Sequence, residues 1–295
     1  MKTIYLWILS LALLAAAGCG PKEPAVSSSV GDLSQPAQSA VVQQDPEANQ
    51  EEHTSDQGSE SVSEHTSGQE AEPAPPPEPE PEPRVVVLDA GHQGKANRDK
   101  EPVGPGAKET KAKVSSGTQG RFTRVPEYQV NLDVTLQLRD ELEKRGYTVV
   151  LTRESNDVDI SNAQRAAVAN EAGAGAFVRV HCNGSEDPSV HGAFTICPTP
   201  DNPYPVGEIY EQCRSLADQV LDGLVEETGA QKRNVWETDT MSGLNWCEVP
   251  SIIVEMGYMT NEAEDNALVS PEYQAKLVQG LANGIDRYFA LQETA

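Results

Sequence analysis

The stretch Arg84–Gly94, RVVVLDAGHQG, decides how the folded part of this chain is built. Val85 to Leu88 run without a polar interruption from just after Pro83 to Asp89. A short, continuous, β-branched run bounded by proline and glycine reads as a strand buried on both faces. Such strands belong to parallel sheets covered by helices. The run ends on Asp89, Gly91 and His92. In open α/β sheets functional groups gather just past the carboxyl ends of the strands, so this ending marks a place for chemistry.

The rest of the domain repeats the pattern. EYQVNLDVTLQLRDELEKRG sets Val130, Val134, Leu138 and Leu142 at steps of four before Gly146, which predicts an amphipathic helix with a glycine at its end. YTVVLTR reads as the next strand, and ISNAQRAAVANEAG as a second helix capped by Ser161. AFVRVHC and GAFTICP are strands, GEIYEQCRSLADQVLDGLVEETG is a long helix, SIIVEMGY is a strand, and PEYQAKLVQGLANGIDRYFALQ closes the chain as a helix. Alternating strands and helices predict a single α/β domain over residues 84–292, a mostly parallel twisted sheet with helices on both faces. His92, His181 and Glu255 all fall at predicted strand ends. One histidine there is ordinary packing; three chemically capable residues in equivalent places suggest a site.

The N-terminal part is of another kind. Residues 1–19, MKTIYLWILSLALLAAAGC, place Lys2 before an apolar run from Ile4 to Ala17. This is a signal-peptide layout, and the run is shorter than the roughly twenty residues of a bilayer span. Residues 20–83 hold fourteen acids against Lys22 alone, and no Phe, Tyr or Trp. Such a segment buries too little apolar surface to offset its ordering entropy, and it reads as a disordered acidic tether ending in the stiff PAPPPEPEPEP. The whole chain of 295 residues carries a formal charge of −24, which argues against nucleic acid as a partner.

Several stretches resemble known families. AAGC resembles the lipobox of bacterial lipoproteins, with Ala16 where leucine is usual; this implies lipid on Cys19 and attachment to the outer face of a bacterial membrane, facing the cell wall. VVVLDAGHQG, EYQVNLDV, VVLTR, RAAVAN, FVRVHCNG and VPSIIVEMGYMTNEAED resemble, in order, the motifs of the Amidase_3 family of zinc-dependent N-acetylmuramoyl-L-alanine amidases. That resemblance implies Zn2+ held by His92, Glu127 and His181, and Glu255 as catalytic acid/base. Two imidazoles and one carboxylate are an accepted catalytic zinc set. The implied reaction cuts the amide between N-acetylmuramic acid and L-alanine in peptidoglycan. A non-catalytic wall-binding or regulatory protein on the same scaffold is the alternative, because fold does not prove turnover.

The chain departs from the family pattern at three places. Gln93 stands where glycine commonly follows the metal histidine, and is expected to narrow the site or donate to substrate. Arg179 stands where serine is common; it either holds a peptide carboxylate or pairs with an acid or solvent. Asn183, beside the second histidine, is a third candidate for substrate contact. From Lys95 to Arg124 a segment of little periodicity holds eight bases and three acids, and reads either as a groove-lining loop or as a mobile surface loop. Asp89 is read either as a support behind the site's ligands or as a strand-end hydrogen-bonding residue, and Glu248 as a solvated loop charge. Cys182, Cys197, Cys213 and Cys247 permit disulfides in an exported protein, in any of three pairings.

Overall fold

The computed structural model describes residues 84–294. The expectations for the signal peptide, Cys19 and the tether lie outside those residues. In chain order the elements are β1 (Val85–Ala90), β2 (Asn97–Pro102), β3 (Thr110–Val114), α1 (Glu127–Lys144), β4 (Thr148–Leu151), α2 (Asn162–Glu171), β5 (Ala176–Asn183) and β6 (Phe194–Cys197). After a short 3-10 turn at Pro205–Ile209 come α3 (Tyr210–Thr228), β7 (Trp236–Glu237), α4 (Ser242–Asn245), β8 (Ser251–Tyr258), α5 (Glu262–Leu268) and α6 (Pro271–Gln292).

The main sheet has the order β4-β1-β5-β8-β6-β7. The four strands β4, β1, β5 and β8 are parallel; β6 runs antiparallel to β8, and β7 parallel to β6. This is the expected single α/β domain with a mostly parallel sheet. β1 is apolar throughout its first four residues because helices cover both its faces, and Val86, Val87 and Leu88 are fully buried. Among the described residues no helix is long and apolar enough to cross a membrane.

Helix α1 buries the residues its period marked, Val130, Val134, Leu138 and Leu142. Gly146 then takes a left-handed φ of 88° that ends it. Ser161 caps α2 reciprocally with Gln164. Helices α1, α3 and α6 pack together, while α2 and α4 pack on each other on the other side. The α3–α6 seam is unusually close: a β-carbon on Gly223 would lie 2.4 Å from the Gly280 carbonyl oxygen, and one on Gly284 2.5 Å from that of Gln219. Backbone meets backbone there.

The basic segment is neither structureless nor part of the main sheet. It folds as an antiparallel ribbon of β2 and β3. Trp246 Nε1 donates to the Pro102 carbonyl at 3.0 Å and Asn245 Nδ2 to that of Val103 at 3.1 Å, which seats the ribbon on α4. The four cysteines of the domain are all buried and free, so none of the disulfides that an exported protein permits is formed among the described residues.

Candidate metal centre

β1 delivers His92 two residues past its end. Gly91 is required there by contact: a β-carbon on it would lie 2.2 Å from the His181 ring. His92 itself has φ 60°, a left-handed conformation that costs a non-glycine residue about 1 kcal/mol or more. The surroundings hold it. Arg153 donates from Nε to the Ala90 carbonyl at 2.7 Å and from Nη2 to that of Gly91 at 3.1 Å. Arg165 donates to the carbonyls of Ala90 and His92, both at 2.9 Å. Arg165 is anchored in turn by Asp89, at 2.6 Å, and Asp89 also receives Arg179 Nε at 2.9 Å and the Thr152 hydroxyl. Asp89 is thus the buried hub of the turn, supporting His92 from behind through Arg165, the first of the two roles expected for it.

Glu127 opens α1, where the positive end of the helix favours a carboxylate. Its Oε1 lies 3.2 Å from His92 Nε2 and 3.1 Å from His181 Nδ1. The same oxygen accepts from Asn131 Nδ2 and from the Cys182 backbone N–H, each at 3.2 Å, while Thr118 N–H donates to Oε2 at 2.7 Å. Burial works to raise the Glu127 carboxyl, but the hydrogen bonds from His181 and His92 outweigh it and hold it well below the usual range. On the far side of His92, Nδ1 meets the Ser115 carbonyl at 3.0 Å, so the ribbon's end fixes the ring. Burial pushes His181 down to about 4, so its imidazole is neutral at pH 7.

One ligand atom from each of His92, Glu127 and His181 lies within 4.8 Å of the others. Two imidazoles and an ionised carboxylate converging at this separation suit a divalent cation. A second observation fits the same cation. Glu255 sits opposite His181 in the β5–β8 register, and its Oε2 is sealed from solvent without a hydrogen-bond partner. Burial and then the neighbouring Glu127 charge push its carboxyl well above the ordinary range. A cation between the two carboxylates would relieve that repulsion.

A groove of about 590 Å³ leads away from this point over the faces of β5, β8 and β6, roofed by β3. A second, more open cleft continues past the histidines toward Ser185 and Thr260, and Asn183 lines both. Arg179 lines the groove and pairs with an acid, Asp89, which is one of the alternatives expected for it.

Gln93 is a correction. It is fully buried and does not line the groove; its Nε2 donates to the Lys95 carbonyl at 3.0 Å, and its Oε1 accepts from Ile160 N–H at 3.1 Å and Arg165 Nη2 at 3.0 Å. An amide with both ends taken braces the turn and has nothing left for substrate. Glu248 is exposed, as expected. Sequence reading missed Ser115, Thr118 and Asn131. Only Asn131 carried a signal, four residues after Glu127 and hence on the same helix face.

Over residues 86–287 the chain matches Amidase_3, described as N-acetylmuramoyl-L-alanine amidase. It is 30% identical over 206 residues to the uncharacterized protein YqiI of Bacillus subtilis (strain 168), covering 70% of this chain and 85% of that one. It is 27% identical to the N-acetylmuramoyl-L-alanine amidase Rv3717 of Mycobacterium tuberculosis, covering 72% and 88%. The apo crystal structure of the N-acetylmuramyl-L-alanine amidase Ami1 from Mycobacterium abscessus superposes with a TM-score of 0.63 at 27% identity, covering 70% of this chain and 98% of that one. The match begins in β1, ends in α6 and takes in every strand beneath the groove, so the chain belongs to the N-acetylmuramoyl-L-alanine amidase family Amidase_3.

Proposed function

We propose that the protein is a zinc-dependent N-acetylmuramoyl-L-alanine amidase that hydrolyses the bond between the lactyl carbonyl of N-acetylmuramic acid and L-alanine in peptidoglycan. The observation that carries this reading is the convergence of His92, Glu127 and His181 with Glu255 opposite. These three residues would hold the zinc, with Glu127 accepting further hydrogen bonds that keep it ionised and oriented. Bound there, zinc would polarise the amide carbonyl and make a proton on water easier to remove near neutral pH.

Glu255 then does the proton work. Its buried Oε2 has no other partner, and it faces the reacting position from the neighbouring strand. It takes the proton from the attacking water and delivers it to the departing alanine nitrogen, which is too basic to leave unprotonated. The two arms of the groove give the sugar and the peptide separate paths from this point. All four functional positions are filled, which disfavours a non-catalytic wall-binding scaffold. Cys182 offers no competing thiol chemistry, because burial pushes its thiol well above the ordinary range.

The test is Glu255→Gln, which keeps the shape and removes the base. Zinc content and melting temperature should hold, while release of peptides from peptidoglycan should fall by two orders of magnitude or more. A stable, zinc-loaded variant with near-normal turnover would refute the role. We propose further that lipid on Cys19 holds the enzyme at the outer face of the membrane, with residues 20–83 spacing it toward the wall. Cys19→Ala should then release the protein from the membrane fraction; retention there would count against the anchor.

A further inference from the structure

The two arms of the groove differ in charge. The arm toward Ser185 and Thr260 carries no lysine or arginine. The arm beneath β3 carries Lys100, Lys111 and Arg179, and its single acid, Glu255, sits at the junction. Phe194, Ile196 and Ile253 line the same arm, Ile253 beside Arg179 in the β5–β8 register. A groove lined by both cations and apolar side chains, next to an amide-cleaving centre, suits a peptide that bears a carboxylate.

Arg179 is built into this arm. It is 3% exposed. Nε donates to Asp89 Oδ2 at 2.9 Å and Nη2 to Asn162 Oδ1 at 2.8 Å, but Nη1 has no hydrogen-bond partner among the described residues. Gly243 is what leaves room for it, since a β-carbon there would lie 1.8 Å from Nη1. Asp89 does not cancel the charge, because Arg165 shares it. Arg165 spends its remaining donors on the Ala90, His92 and Ile160 carbonyls and on Gln93 Oε1. Two guanidiniums thus face one carboxylate, and the surplus opens onto the cavity through Arg179. Nη1 faces the groove with no protein acceptor, so an anion arriving there gains a charge-assisted hydrogen bond.

Position narrows the identity of that anion. Arg179 and His181 share one face of β5 two residues apart, roughly 7 Å along the strand. An extended peptide covers that distance in about two residues. Lys111, whose Nζ donates to the Thr240 carbonyl at 2.7 Å, lines the same arm from the ribbon.

We propose that this arm is a carboxylate subsite. Arg179 Nη1, assisted by Lys111, binds the free carboxylate on the stem-peptide residue that follows L-alanine, so the enzyme discriminates against peptides in which that group is a carboxamide. The proposal rests on the amidase reading, and it also fixes direction: peptide beneath β3, sugar toward Ser185.

The experiment compares two soluble muramoyl peptides, identical except that one carries the carboxylate and the other the carboxamide. The full chain, purified in detergent and loaded with zinc, should show a kcat/KM at least about tenfold higher for the acid, the effect of one charge-assisted hydrogen bond. Gly243→Ala, whose methyl displaces Nη1, should bring the ratio toward one, with melting temperature measured alongside. Lys111→Ala should lower the ratio in part, and it carries the comparison if the Gly243 variant does not fold. Equal hydrolysis of both peptides by the unaltered protein overturns the subsite and leaves the amidase reading standing. Hydrolysis of neither overturns both. A folded Gly243→Ala protein and a Lys111→Ala protein that both keep the full ratio also overturn the subsite.

Discussion

Replacing Asp89 by asparagine tests how the turn at His92 is held. The carboxylate is fully buried and receives Arg165 at 2.6 Å, Arg179 at 2.9 Å and the Thr152 hydroxyl. Burial opposes its charge, but Arg165 and Arg179 outweigh burial and hold it well below the ordinary carboxylate range. Asparagine has the same size, yet it removes the charge and turns an N–H2 toward one of the guanidiniums. Two arginines are then buried without a counter-charge. Removing one partner of a buried pair costs about 3–5 kcal/mol. In a domain of this size each kcal/mol is worth about 2–4 °C, so the melting temperature should fall on the order of 10 °C. The pH dependence has a definite sign. A depressed carboxyl contributes its stability above its unfolded value of about 3.9 and loses it below. The gap between Asp89→Asn and the unaltered protein should therefore stay flat from about pH 9 to pH 5 and shrink below about pH 4. Zinc affinity should fall as well, because Arg165 also holds the His92 carbonyl. Calorimetric melts across that pH range decide the matter. A loss under about 1 kcal/mol would show that the guanidiniums find water or other partners, and the hub would not be one.

Two further outcomes follow from the same structure. In metal-free protein, burial pushes His181 down to about 4, so folding favours the neutral ring. That contribution is full above about pH 6.5 and is lost toward pH 4, an effect on the order of 3 kcal/mol; urea midpoints that stay flat across this window would contradict it. Gly280→Ala should gain about 1 kcal/mol of helix propensity. Its β-carbon, however, would lie 2.7 Å from both the Gly223 carbonyl oxygen and the Leu224 Cα, backbone that cannot yield cheaply. Overpacking of about 1–3 kcal/mol should win, and a higher melting temperature would show that the helices separate freely.

The sheet was legible because its strands are buried on both sides and so read as unbroken apolar runs, as in VVVL and SIIV. α1 was legible from its period of four and α2 from the cap at Ser161. The β2–β3 ribbon was not, because NRDKEP and TKAKV pair only with each other and bury little beyond Glu101 and Val114. Without a covered face they show no alternation. The short α5 and the two-residue β7 fall below the length at which periodicity speaks. The metal-site candidates were legible through family motifs and strand ends. Gln93 was misread, and which groups Asp89 binds was not legible, for one reason: Arg165 lies 72 residues from Gln93 and 76 from Asp89, and Arg179 lies 90 from Asp89. Nothing local announces that a polar residue will be buried by arginines.

The glycine seam between α3 and α6 also sets an order of events. Of the domain's elements α6 is made after all the others, yet it supplies Leu277, Leu281, Ile285 and Tyr288 to the buried core and touches the backbone of a helix made about sixty residues earlier. Until it arrives, the apolar sides of α1 and α3 have no lid. The whole of α6 must therefore be made before the domain can close, and a chain cut short near Ser270 would leave a sticky intermediate rather than a smaller domain.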